Sequence, residues 1–226
     1  MLEGGMSTYS SASPVYNPPM DPVSVIYQDA DILVLDKPSG LLSVPGRDPA
    51  LSDSLATRVQ KQFPKALMIH RLDKDTSGVV LMSLNRKAHA QIARQFEERS
   101  TEKSYVAVVW GNVAEDEGLI DLPLAIDPDN KPRHRVDYEH GKPAQSRWQV
   151  LERGEQTTRL SLFPLTGRTH QLRVHMKAIG HVMLGDEFYA EGAALQAADR
   201  LLLHAESLSF RHPDGRAVTF TIPCPF

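Results

Sequence analysis

The order of apolar and polar positions along the chain predicts many short strands and few helices. From Val23, VSVIY and DILVLDKP have the composition of two strands joined by the turn-like Gln28-Asp29-Ala30-Asp31. In SDSLATRVQKQF, Leu55, Val59 and Phe63 recur at helical spacing, with Ser52 or Asp53 as the N-cap and Pro64 as the stop. The unbroken apolar run GVVLMSL (78–84) fits a buried strand. NRKAHAQIARQFEER (85–99) fits an amphipathic helix with Ala88, Ile92 and Phe96 on one face. Further strands are predicted at YVAVVWG (105–111), at PAQSRWQVLER and TTRLSLFPL, which meet at Gly154, and at RLLLHAESLSF and AVTFTI around the turn HPDG. THQLRVHMKAIG (169–180) predicts a helix with Leu172, His175, Met176 and Ile179 inward and Gly180 as its C-terminal stop.

Strands outnumber helices and do not alternate with them regularly. The expected fold class is therefore α+β with a large mixed or antiparallel sheet, in preference to a doubly wound parallel one. No linker-like stretch and no repeat of 20 to 50 residues divides residues 23–226, which are expected to form a single domain. Residues 1–22, rich in Ser, Pro, Gly and Tyr without periodicity, are expected to be a flexible arm.

Composition narrows the setting. With 41% hydrophobic and 23% charged residues in 226, the chain falls in the ordinary soluble globular class. The lone Cys224 has no partner for a disulfide, which points to a reducing, cytoplasmic environment. No apolar run is long enough for a membrane span and the N-terminus lacks a signal-type apolar region, so no membrane partner is expected. No coiled-coil or spare apolar stripe is evident, and a monomer is expected. The net charge of −3 conceals a strong asymmetry. Residues 111–130 hold six acids and no base, whereas residues 131–180 hold ten Lys or Arg against four Asp or Glu, a surplus of six. Such runs fit solvated faces as well as they fit a polyanionic partner.

The densest charge cluster, IHRLDKDTSGVVLM (69–82), lies against a predicted core strand. Turn chemistry and a surface ion pair worth under about 1 kcal/mol would explain it without function. His70-Arg71-Leu72-Asp73 resembles a kinase catalytic loop, but the glycine-rich loop and the Asp-Phe-Gly triplet that go with it are absent. Asp75-Thr76-Ser77-Gly78 has the form of an aspartic-protease half-site with no second copy. Asp73 and Asp75 point apart in an extended turn and do not suit a glycosidase pair. His170 and His175 sit roughly 140° apart around a helix and cannot share a metal, so hydrogen-bonding or packing roles are expected for both. What remains is one essential Asp among cations, suited to a nucleophile or base acting on an anionic substrate.

HRLDKDTSG (70–78) resembles the signature of the RluA-type pseudouridine synthases. LDKPSGLLSVPG (35–46), KSYVAVVWG (103–111), GKPAQS (141–146), LTGRTHQLRVHMKAIGHVMLGD (165–186) and RLLLHA (200–205) follow in that family's order. The resemblance covers Val23 to Phe226. It implies the pseudouridine synthase fold, with a central catalytic cleft, and the isomerisation of uridine to pseudouridine in RNA without metal, nucleotide or redox cofactor. Asp73 would be the essential aspartate, attacking C1′ or abstracting a ribose proton. Tyr105 would pack on the base and help remove the C5 proton, and Arg168 would pair with Asp73 and keep it charged. Arg71 would fill the gap left by the extruded base. Leu203, or its neighbour Leu202, would wall the uracil, a role no better favoured than simple core packing. Lys37, with Pro38 and Gly40, would shape the pocket floor, and Thr166 and His170 would complete the substrate site. The basic segment would track phosphates, and its acidic neighbour would keep the opposite face off RNA. With 22 residues before Val23, no S4 RNA-binding domain is expected ahead of the first strand, which narrows the resemblance to members acting on stem-loops of large-subunit (23S) ribosomal RNA and of tRNA anticodons. The alternative is a non-catalytic RNA-binding or chaperone protein of the same fold.

Overall fold

The computed structural model describes residues 16–226. The described strands are β1 (Ser24–Gln28), β2 (Ile32–Lys37), β3 (Leu67–Met68), β4 (Ser77–Ser83), β5 (Glu102–Trp110), β6 (Glu117–Asp121), β7 (Leu124–Ile126), β8 (His134–Val136), β9 (Gln145–Arg153), β10 (Thr157–Pro164), β11 (Leu203–Arg211) and β12 (Ala217–Thr221). The helices are α1 (Leu55–Gln62), α2 (Arg86–Glu97), α3 (Gln171–Ala178) and α4 (Gly192–Gln196). Ten strands form one sheet in the order β1-β2-β4-β11-β5-β10-β9-β6, with β12 beside β11 and β3 beside β4; β7 and β8 form a separate ribbon. Only β4 and β11 pair in parallel; every other named pair is antiparallel. This mixed sheet with few helices is the α+β class expected from the sequence.

The parallel junction lies at the centre of the sheet and holds two apolar clusters together. On one side, β2, β4, α1 and α2 bury Ile32 to Leu35, Val79 to Met82, Leu55, Val59 and Ile92. On the other, Ala107, Val109, Trp148, Leu160 and Leu162 pack with Leu172 and Met176 of α3. Every residue of β4 is buried, which explains its unbroken apolar run: a central strand covered on both faces needs no polar alternation. Gly78 permits the junction. Its φ is +112°, and a Cβ there would stand 2.2 Å from the Ala205 carbonyl oxygen, so no other residue lets β11 approach this closely.

The structure corrects three local expectations. The N-cap of α1 is Ser54, whose side chain accepts from the Thr57 amide; Asp53 instead pairs with Arg58 at 2.6 Å. Any of three adjacent Ser and Asp residues could cap, and the reach to Thr57 decides between them. Ile179, expected inward, is 36% exposed because α3 ends one residue before it, while Arg173 and Val174 are buried. The acidic segment, given no element beforehand, supplies β6 and β7. Its carboxylates also engage the basic segment: Asp127 lies 3.6 Å from Arg135 and Asp116 2.7 Å from Arg153. Part of the basic surplus is thus consumed within the fold.

Of the expected N-terminal arm, residues 1–15 lie outside the described residues. Those that follow lie along the body. The Tyr16 hydroxyl donates to the Asp53 carbonyl and accepts from the Leu42 amide, and Arg58 donates to the carbonyls of Pro19 and Asp21.

Candidate active site

Asp73 sits in the loop between β3 and β4, gripped from behind by the segment after β2. Ser43 Oγ donates to the Leu72 carbonyl at 2.6 Å and accepts the Leu72 amide at 3.1 Å. The Gly40 amide and the Lys37 ammonium both donate to the Lys74 carbonyl, at 2.9 and 2.8 Å, and Ser39 Oγ donates to the Asp75 carbonyl. LDKPSGLLS is therefore a cradle for the backbone on both sides of Asp73. Lys37 is fully buried beneath that loop and contributes no surface to the cleft lining, so it supports the aspartate from behind and does not form a floor under the base. Burial pulls its ammonium down to about 7, against the opposing charges of Asp75 and Asp73.

The cleft in front of Asp73 encloses about 500 Å³, within the range of ligand pockets. Arg71, Asp73, Tyr105, Thr166, Arg168, His170, Arg173 and Leu203 all line it. The structure thus gathers the predicted site residues, Lys37 excepted, around one cavity, drawn from the β3–β4 loop, β5, the turn before α3 and the first residue of β11. Tyr105 lies at the seam of the two apolar clusters and packs against both, in register with Ala205 of β11 and Leu162 of β10. Burial, and secondarily the charge of Asp73, raises its phenol above the ordinary 10, so the hydroxyl is protonated at neutral pH. Leu203 is buried in the second cluster as well as lining the cleft.

The ion pair expected between Arg168 and Asp73 is not made; Arg173 takes that place. Its Nη1 lies 3.6 Å from Asp73 Oδ2. The turn Thr166-Gly167-Arg168 accounts for the exchange. Gln171 Oε1 accepts from both Thr166 Oγ1 and the Arg168 amide, and Arg168 Nε donates to the Pro143 carbonyl, which turns this guanidinium toward the 142–143 segment. Arg173, inside α3, points beneath the aspartate. Its Nε and Nη2 bind the two oxygens of Asp186 at 2.8 and 2.6 Å, with both side chains almost wholly inaccessible. Phe188 and Tyr189 rings stack over its guanidinium at 5.1 and 5.2 Å. A buried bidentate arginine is fixed in direction, and what it presents to Asp73 is an edge of charge that cannot move.

His170 is the other neighbour of Asp73. It is the residue before α3, held at φ +55°, a left-handed conformation costly for a side chain with a Cβ. The Tyr189 hydroxyl accepts the His134 amide at 2.8 Å and lies 2.7 Å from His170 Nδ1. With Tyr189 donating to Nδ1, the ring proton resides on Nε2, which faces Asp73 Oδ2 at 3.9 Å, a spacing for a bridging water or a substrate hydroxyl. Desolvation pulls this imidazole down to about 4, in opposition to Asp73, so it is neutral at physiological pH.

Sequence reasoning missed Arg173, Asp186, Gln171, Ser146 and Tyr189. Gln171 Nε2 donates to the Gln145 carbonyl and to Ser146 Oγ, which also meets His175 Nδ1 at 2.9 Å. These contacts tie the segment GKPAQS to TGRTHQ. No sequence signal singled out Arg173, which lies about 100° around the helix from Leu172, at the flank of the predicted apolar face; that its partner is the buried Asp186 is set by the fold. No cluster of three potential metal ligands occurs among the described residues, and no described helix is long and apolar enough to cross a membrane.

The chain is similar to several known proteins. The family described as RNA pseudouridylate synthase matches residues 31–178. The dual-specificity RNA pseudouridine synthase RluA of Salmonella typhi is 52% identical over 214 residues, spanning 93% of this chain and 98% of that protein. Its counterpart from Escherichia coli K12 is 51% identical over the same shares. Among solved structures, Human RNA Pseudouridylate Synthase Domain Containing 1 superposes with a TM-score of 0.77 at 30% identity, covering 100% of this chain and 87% of that one.

Proposed function

Because the chain belongs to the RNA pseudouridylate synthase family, and is thus an isomerase acting on RNA, we propose that its cleft converts uridine to pseudouridine in 23S ribosomal RNA, in the tRNA anticodon stem-loop, or in both. The observation that carries the reading is that Asp73 and Tyr105 line one cleft of about 500 Å³, with the Arg173 guanidinium 3.6 Å from the aspartate. The dual specificity of RluA relatives half identical to this chain supports the choice of targets. Residues 23–226 act as one catalytic unit, monomeric and cytoplasmic.

A stacked base cannot reach Asp73, so the uridine is extruded first, at a cost of a few kcal/mol that is smallest in an open loop. Arg71, exposed at the rim, fills the vacated position. Asp73 acts at the ribose to release the base through N1. The detached uracil turns between Tyr105 and Leu203 and rejoins C1′ through C5. The C5 proton leaves and N1 gains one, so atoms and electrons balance with no external oxidant or reductant. Because the Tyr105 phenol is raised, its packing role is the firmer one, and a phenolate base would need an additional cation beside it. Incubation with transcribed tRNA and ribosomal RNA, followed by carbodiimide-stalled reverse transcription, is expected to map pseudouridine to discrete uridines. No new stop in either RNA would overturn the reading in favour of a non-catalytic RNA binder.

A further inference from the structure

A second and larger cavity, about 850 Å³, adjoins the catalytic cleft. Arg99, Lys103, Pro164 and Leu165 line both, so they form the sill between the two spaces. Beyond the sill the second cavity is walled by Trp148 and Phe163, by the 56% exposed Leu119 of β6 and by Arg147; Glu102 and Glu117 also border it.

The sill carries two cations. Arg99 and Lys103 are close enough for the arginine to depress the lysine, and neither has a carboxylate within ion-pair distance among the described residues. Arg99 holds φ +57°, a conformation that a non-glycine residue adopts at a cost. Lys103 is half-buried, its ammonium 5.9 Å from the Phe96 ring, which in turn stacks on His70 at 4.9 Å. Burial first, and then Arg99, lowers the lysine's pKa. Two mutually repelling cations, one of them partly desolvated, are unfavourable until an anion lies between them.

We infer that Arg99 and Lys103 clamp a backbone phosphate flanking the target uridine, and that the neighbouring nucleotide passes over Pro164 and Leu165 into the second cavity. The ligand is single-stranded RNA, held by one charge-assisted phosphate contact and by an apolar and aromatic wall that accepts a base face. The inference rests on the RNA reading of the catalytic cleft. It adds a subsite that selects an unpaired, splayed neighbour and so favours loops over duplex.

The test is a methylphosphonate scan of a stem-loop that the wild-type enzyme modifies. One neutralised linkage next to the target uridine is expected to weaken wild-type binding roughly tenfold, the size of one lost charge-assisted hydrogen bond. In Arg99→Gln, affinity for the unmodified stem-loop is expected to fall similarly and the salt dependence to flatten by about one ion. The same methylphosphonate should then cost little more. Lys103→Gln repeats the measurement from the other side, and the exposed Arg99 variant stands alone if the half-buried lysine variant misfolds. A scan with no sensitive flanking linkage, or losses that add fully in Arg99→Gln, would overturn the clamp. Absence of pseudouridine with the wild-type enzyme on every RNA would instead overturn the catalytic reading, so the two failures are distinguishable.

Discussion

Two sets of cations surround the cleft, and they are built on opposite principles. Beneath Asp73, Arg173 is spent internally on the carboxylate of Asp186 and Lys37 on backbone carbonyls, and neither is accessible to solvent. Around the rim, Arg71, Arg99, Lys103 and Arg168 lack any carboxylate partner among the described residues. The inner set positions the aspartate and holds the fold, because a buried charge without its partner is expensive. On the proposed reading, the rim set is left for the phosphates of the RNA. Paired and unpaired cations of the same residue type thus report on different links of the chain from structure to function.

The contrast can be broken most directly at Arg173. Arg173→Ala orphans the buried Asp186 and is expected to destabilise the protein by about 3–5 kcal/mol, read as a lowered denaturant midpoint. Pairing it with Asp186→Asn should restore part of that loss without restoring turnover. A single variant as stable as wild type would remove the distinction between inner and rim cations.

Arg71→Ala should leave thermal stability unchanged while slowing pseudouridine formation roughly tenfold on a structured stem-loop, with a smaller effect on a short unstructured oligomer. Equal slowing on both substrates would argue against the gap-filling role.

A titration sharpens the inner side of the comparison. His170 and His70 are pulled by burial to about 4 and about 3, below the ordinary 6.5. The unfolded chain therefore binds more protons than the folded one between these values, and stability must rise with pH across that window. Stability present above about 6.5 is expected to be lost as pH falls toward 4, and His70→Gln should flatten the slope in denaturant melts. A slope unchanged by this substitution would contradict the neutral assignment of that ring.

The smallest effect is expected at Arg168. Arg168→Ala should weaken RNA binding a few-fold and leave folding intact, since among the described residues its guanidinium bonds only the Pro143 carbonyl. Loss of all turnover would return Arg168 to the role of aspartate partner.

How much of this was legible beforehand depended on periodicity and reach. The buried strands β2 and β4 and the amphipathic α2 were readable because a covered strand or a one-sided helix leaves a strong apolar pattern. The edge strand β6 buries only Ile120 and left almost none. Asp73, Tyr105 and Leu203 were placed at the cleft through the family resemblance, and the structure brings them to one cavity. The partner of Asp73 was misplaced by five residues. Arg168 and Arg173 stand in the same motif, and only the three-dimensional path of the turn, pinned by Gln171, determines which one faces inward. A buried arginine on a helix looks like a surface residue until its acid is known, and Asp186 is 13 positions away.

The central claim is that the carboxylate at position 73 performs the chemistry while the cations around it only position and bind. Single-turnover formation of pseudouridine by Asp73→Asn, measured on an RNA to which the variant binds as wild type does, tests this most directly. The expected result is full RNA binding with no pseudouridine formed; turnover near the wild-type rate would contradict it.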